Sequence, residues 1–344
     1  MATTADSRAT LDMLPDELIV AVVEHLALPS LLNLNLVNRR LYRVTLENVY
    51  AMFDGPNMAC FLRTITLPPP NGRPDLAERV KNVTWELNPH PEESLQSFNS
   101  PPINISASER WAITRAYQQF VLVPVEAQVP LDSRFARHVG GTLEVDHWAL
   151  EFFLMFVPNV EELKVQGVWL WDDHTYWFTN VAANPTRFNR LKSIELLGPM
   201  RMENIIPLLE MPSLKHLILD EVIVMRQNPE ETFQWEQSDR RVLEEASSGL
   251  EKLTMRKSHI PVTALVPILN ALKGLKEFKY EHVFHHMSHP MEEIPIDYIV
   301  LATVLSRHTA TLKNFSFFVH DPWEQDYYLS LDDVMKYGTG TSAN

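Results

Sequence analysis

A trio of apolar residues at positions i, i+3 and i+5 recurs six times along this chain and restricts its fold more than any other feature. The trios are Val160, Leu163 and Val165; Leu191, Ile194 and Leu196; Leu214, Leu217 and Leu219; Leu250, Leu253 and Met255; Leu275, Phe278 and Tyr280; and Leu312, Phe315 and Phe317. Val80, Val83 and Trp85 form a weaker, earlier relative. Successive starts lie 31, 23, 36, 25 and 37 residues apart, so the repeat is regular in its anchors and irregular in its length.

The last two anchors of each trio alternate with polar residues, which is the period of a strand with one buried face. Several trios follow an apolar, helix-like run: "HWALEFFLMFVP", "MENIIPLLEMP", "VTALVPILNALKG" and "DYIVLATVLSRHTA". Each unit therefore reads as helix, turn, strand and a return loop of variable length. Such a unit cannot bury its apolar face alone and must stack on its neighbours, which predicts an α/β fold with a curved parallel sheet and helices behind it. Over residues 111–325 the pattern resembles a degenerate leucine-rich-repeat solenoid, without the asparagine ladder of regular repeats. An ordinary α/β domain whose strands begin alike is the plainer alternative. Around this region, residues 1–10 read as a disordered lead and 47–87 as a connecting helix with a first repeat-like strand. Residues 88–110 read as a Pro/Ser-rich loop, and 335–344 as a disordered tail.

Composition narrows the function classes. Thirty basic residues against 44 acidic ones give a net charge of −14, which repels phosphate backbones and anionic lipid, so neither nucleic acid nor membrane is expected as a partner. The most apolar stretch, "HWALEFFLMFVPNV", is interrupted by Glu151 and is too short to span a bilayer. A single cysteine, Cys60, excludes an internal disulfide framework and zinc folds built on several thiolates. The first residues lack the basic start and apolar run of an export signal, so a cytoplasmic or nuclear location is expected. On that footing the sequons at Asn82, Asn104 and Asn314 are chance matches. With 10 glycines the chain has no phosphate-binding loop, dinucleotide fingerprint or Gly-flanked serine nucleophile, and Cys60 sits in an apolar helical context. No cofactor and no catalysis are expected.

Residues 11–46 form a separate module. In "LPDEL", Pro15 suits the first turn of a helix, and Asp16 and Glu17 sit well at its positive end. Leu18, Val22 and Leu26 follow at helical spacing until "ALPS" breaks the run. A second helix covers Leu31, Leu32, Leu34 and Leu36, and Asn38 is a good cap for a third that runs through Leu41 and Val44. Three short helices hold more leucine than so small a bundle can hide, so the surplus should meet a partner or the rest of the chain.

Leu14, Pro15, Glu17, Leu18, Val22, Leu26, Leu31, Leu34, Leu36, Val37 and Arg40 match in order the pattern of the F-box, which this module resembles. Leu41 stands where the family commonly has tryptophan, with Tyr42 beside it. The resemblance implies a substrate-recognition subunit of an SCF-type (cullin–RING) ubiquitin ligase. Its F-box would dock on a Skp-family adaptor, and through it on cullin, while the repeat region captures a protein target of unknown identity. F-box modules joined to degenerate repeats in this way are familiar in fungal F-box proteins. By the same resemblance Leu14, Pro15, Leu18, Val22, Leu26, Leu31, Leu34 and Val37 would line the adaptor interface, and apolar anchors at this spacing suit helix-in-groove recognition independently. The alternative is a non-catalytic scaffold whose helices only cap the repeats, or dock an adaptor without promoting degradation.

For target binding, the residues between the anchors should share the open face of the sheet. Lys164 neighbours Glu195 there, and Asp220, Arg256 and Glu281 alternate in sign; such pairs can also simply support a sheet. His216 and Arg256 are the candidates on that face. Large aromatics in return loops make good anchors, which adds Trp169, Trp171, Tyr176 and Trp177 in "VWLWDDHTYWF" and Trp235 in a charged insertion. His282, His285, His286 and His289 cluster in "HVFHHMSHP", but Pro290 and the lack of a nearby cysteine favour a solvated cluster over a metal site.

Overall fold

The computed structural model describes residues 11–54, 58–67, 72–86, 147–167, 186–223, 247–283, 296–320 and 327–338. Three helices open it: α1 (Asp16–Val23), α2 (Leu28–Asn35) and α3 (Arg39–Ala51). Pro15 precedes α1 and Pro29 lies in the first turn of α2, where a missing N–H removes no helical bond. Asn38 caps α3, its side-chain oxygen accepting from the Leu41 N–H at 2.8 Å. Ile19, Val23, Leu31 and Leu41 form a small core of their own, ringed by half-buried Leu14, Leu26, Leu34 and Val44. The hydroxyl of fully buried Thr45 bonds the Leu41 carbonyl at 2.7 Å and the Asn35 side chain, tying α2 to α3.

The second half of α3 serves two cores, half-buried Val49 still packing against the small one. Leu46 belongs to the main core, and at Met52 the chain passes directly from helix to strand. The strands are β1 (Met52–Asp54), β2 (Asn82–Glu86), β3 (Glu162–Gln166), β4 (Ser193–Leu197), β5 (Met200–Arg201), β6 (His216–Asp220), β7 (Val222–Ile223), β8 (Lys252–Ser258), β9 (Glu277–Val283), β10 (Asn314–His320) and β11 (Tyr327–Leu329). Among the described residues nine of them make one sheet in the order β1-β2-β3-β4-β6-β8-β9-β10-β11, while β5 and β7 form a parallel pair of their own. Only the β10–β11 pairing of the large sheet is antiparallel. The remaining α-helices among the described residues are α4 (Met58–Thr66), α5 (His147–Phe156), α6 (Ile206–Leu209), α7 (Val262–Ala271), α8 (Tyr298–Ser306) and α9 (Leu331–Gly338). The chain is thus a mixed α/β fold with a mostly parallel sheet. The run "MENIIPLLEMP" yields a 3-10 turn, Met202–Ile205, and only the four residues of α6, because Pro207 has no N–H and fits only a first turn.

The anchors meet in register. Val83, Leu163, Ile194, Leu217, Leu253, Phe278 and Phe315 pair strand to strand, as do Trp85, Val165, Leu196, Leu219, Met255, Tyr280 and Phe317. All but half-buried Phe315 are buried, packed with Leu150, Phe153 and Leu154 of α5, Leu265 and Ile268 of α7, and Leu301 and Leu305 of α8. Each such side chain contributes about 1.5–3 kcal/mol through burial, which makes these two rows the main support of the sheet.

Two further regularities follow the same register. The residue after each first anchor forms a rung at the N-terminal edge of the sheet: Lys81, Glu161, Lys192, Lys215, Glu251, Lys276 and Lys313. From Lys81 to Lys276 each rung's carbonyl accepts N–H groups from two consecutive residues of the next unit, as Lys192 does from Lys215 and His216 at 2.8 and 2.9 Å. At the other edge, the seventh residue after the first anchor has positive φ in four units: Gly167 (71°), Gly198 (131°), Glu221 (58°) and Lys257 (44°).

Three features lie beyond the sequence-based expectation. β1 precedes the strand expected to be first, and β11 with α9 closes the far edge. Residues 335–338, expected within a structureless tail, are the end of α9. No helix among the described residues is long and apolar enough to cross a membrane.

Candidate functional site

Helix α1 carries two apolar stripes. Ile19 and Val23 point into the small core, which leaves Leu18 and Val22 outside at 51% and 40% exposure. Leu36 and Val37, just beyond α2, are 85% and 61% exposed, and Met13 and Leu32 are exposed as well. Of the residues assigned from sequence to an adaptor interface, Pro15, Leu18, Val22 and Val37 are exposed, Leu14, Leu26 and Leu34 are half-buried, and Leu31 is buried in the small core. Arg40 has a different role from a contact residue. Its Nη2 donates to the Leu14 carbonyl at 2.6 Å and its Nε to Asp16 Oδ1 at 2.8 Å, clasping the start of α1 to the start of α3.

On the open face of the sheet Lys164 and Glu195 pair in register with 3.5 Å between charges. The expected alternation of Asp220, Arg256 and Glu281 is broken by a bulge in β8. Met255 pairs with Tyr280 and Ser258 with His282, so Arg256 and Lys257 together stand opposite the single residue Glu281. The extra residue re-aims both cations. Arg256 reaches back over β6 to Glu195 at 3.4 Å, and Lys257 lies 3.7 Å from Asp220. His216 lies on the same face, four positions before Asp220, the strand partner of Arg256, so the sheet does not bring His216 and Arg256 together. Burial, and then the charge of Lys252, lowers the His216 pKa and keeps its ring neutral more readily. At the far end the Phe318 and Tyr328 rings pack tilted at 36° with centroids 4.4 Å apart, and Tyr328 is exposed.

Behind β8 and β9 the bulge shapes a buried polar network. The Tyr280 hydroxyl donates toward the Ser258 and Ile260 carbonyls at 3.3 and 3.2 Å, accepts from the Ile260 N–H at 3.2 Å, and lies 3.1 Å from His282 Nδ1. His259 donates from Nδ1 to the Val283 carbonyl at 3.2 Å, and its ring centroid is 5.4 Å from that of His282. Burial, with His259 as a second cause, pulls the His282 pKa down to about 4, and burial raises that of Tyr280. His282 is thus a core residue bound to tyrosine. His285, His286 and His289 lie outside the described residues, among which no group of three or more His, Cys, Asp or Glu is placed to hold a metal.

Trp169, Trp171, Tyr176, Trp177 and Trp235, assigned from sequence to target binding, also lie outside the described residues. The Phe318–Tyr328 pair was missed because it joins β10 to an antiparallel strand, β11, that no repeat signalled. The bulge left one signal, a polar run "RKSH" where strict alternation calls for an apolar residue at position 257. Neither a protein-family model nor a curated protein matches the chain.

Proposed function

We propose that this chain is the substrate-recognition subunit of an SCF-type ubiquitin ligase, with residues 11–46 acting as an F-box on a Skp-family adaptor and the repeat-bearing sheet capturing a protein target. The observation that carries the reading is the second stripe of α1. A three-helix module that has already filled its core with Ile19, Val23, Leu31 and Leu41 still presents Leu18 and Val22 to solvent, as it does Leu36 and Val37. Exposed apolar anchors at helical spacing fit a partner's groove, and a few of them dominate such an interface. The in-register anchor rows support a solenoid of leucine-rich-repeat type for the rest of the chain. No chemistry falls to this polypeptide on that reading. Its contribution is to hold a target lysine near a ubiquitin-conjugating enzyme supplied by other subunits.

Co-expression with a Skp-family adaptor tests it. The wild-type chain should co-purify with the adaptor, and Leu18→Asp combined with Val22→Asp should lose it while circular dichroism stays unchanged. Failure of the wild type to bind sinks the proposal, and equal binding by both chains removes the α1 stripe from it. A scaffold reading is favoured by one observation, the passage of α3 into the main core through Leu46. It predicts adaptor binding without target modification, so a captured partner that gains ubiquitin only when the stripe is intact decides for the receptor.

A further inference from the structure

The N-terminal edge of the sheet is cationic in a chain whose net charge is −14. Its seven rungs hold five lysines and two glutamates, and each glutamate is already matched by the lysine of the next rung. Glu161 pairs with Lys192 at 3.0 Å and Glu251 with Lys276 at 2.6 Å. Lys81 and Lys313 are exposed and make no ion pair among the described residues; exposed Arg190 and Lys273 in the same turns make none either. The Lys215 ammonium donates to the Gly249 carbonyl at 3.1 Å and makes no ion pair among the described residues. Other charges at this edge, Glu78, Glu162 and Glu210 against Arg187 and Arg307, leave one negative charge in excess.

The plainest account of lysines here is that the C-terminal ends of α5, α7 and α8 reach this edge. Those ends supply about one and a half negative charges in all. Five cations remain after the two glutamates are matched, so the helix ends offset less than half of the excess. Bifurcated carbonyl bonds fix the rungs one strand apart, which spreads the charge over roughly 30 Å.

We propose that this edge docks an extended acidic segment of a partner protein, of about nine residues at strand spacing, laid across the rungs with its carboxylates on Lys81, Lys215, Lys313 and the flanking Arg190 and Lys273. A nucleic acid fits less well. The chain as a whole repels a long polyanion, and the rungs carry no aromatic side chains on which bases could stack. The surface is distinct from the α1 stripe, so it stands or falls independently of adaptor docking.

The test is fluorescence anisotropy on the full chain with a labelled peptide of alternating glutamate and serine, its glutamine counterpart, and a single-stranded oligonucleotide of equal charge. The glutamate peptide should bind and the glutamine peptide should not, with affinity falling as salt rises to physiological strength. Reversing Lys81, Lys273 and Lys313 to glutamate should weaken binding about tenfold or more, whereas reversing Lys164, Lys257 and Lys279 on the open face should change it less than about threefold. Replacing the three edge lysines with glutamine should give an intermediate loss and guards against misfolding. Equal losses from the two triple reversals, no binding of the glutamate peptide, or tighter binding of the oligonucleotide would each overturn the proposal.

Discussion

At the scale of single residues, the left-handed position seven residues after the first anchor is shared by four units. Gly167 and Gly198 meet it without strain, whereas Glu221 and Lys257 hold φ of 58° and 44° with a Cβ that crowds the backbone. Glu221→Gly should therefore raise stability by about 0.5–1 kcal/mol, relief of strain outweighing the added freedom of the unfolded chain. Lys257→Gly should gain less, because it also removes the 3.7 Å contact with recessed Asp220. Gly198→Ala should cost about 1 kcal/mol or more, since φ of 131° suits no side chain. Urea melts of the three variants check the order, and a loss of stability in Glu221→Gly refutes it. A second consequence concerns pH. His282 takes its proton near pH 4 in the fold but near 6.5 in the unfolded chain, so the folded state binds fewer protons between those values. Its neutral ring contributes stability that is complete above about pH 6.5 and is lost as pH falls toward 4, on the order of 3 kcal/mol in all. His282→Gln should flatten that part of the stability curve, and an unchanged slope would exclude His282 as its source.

Elements explain which parts of the fold were legible beforehand. The strands β3, β4, β6, β8, β9 and β10 announce themselves because two consecutive inward side chains of each are anchors, and a row of anchors tolerates little but Leu, Ile, Val, Met and aromatics. α1 to α3 were legible from Pro15, Pro29 and Asn38, whose chemistry acts locally. β1 was not, since three residues directly after a helix hold no period of their own and take strand form only by pairing with β2. The β8 bulge was equally hidden, being a property of the pairing with β9 rather than of either strand. So the in-register neighbours Lys164 and Glu195 were legible beforehand, while the reach of Arg256 across β6 to Glu195 was not. At this scale the cap of α3 can be tested. Asn38→Ala removes the acceptor for the Leu41 N–H and should cost about 1 kcal/mol in a thermal or chemical melt, while Asn38→Asp should keep most of it. An unchanged melting point for Asn38→Ala would mean that water satisfies that N–H equally well.

For the whole molecule, the lysine rungs and the helix ends form a matched pair of features. Helices return antiparallel to the strands they precede, so helix C-termini gather at the edge where the rungs stand, and rung lysines lie at the favourable pole of each helix dipole. This charge arrangement could be read from sequence only once the first anchors were known to align, because neither the rung position nor its neighbours look unusual in a single unit. The junction at Ala51 and Met52 has a consequence of another kind. Helix α3 ends and β1 begins without an intervening residue, with Leu41 seated in one core and Leu46 in the other. The bearing of the α1 stripe is thereby fixed to the direction of the strands: whatever grips Leu18 and Val22 also decides which way the sheet's open face looks.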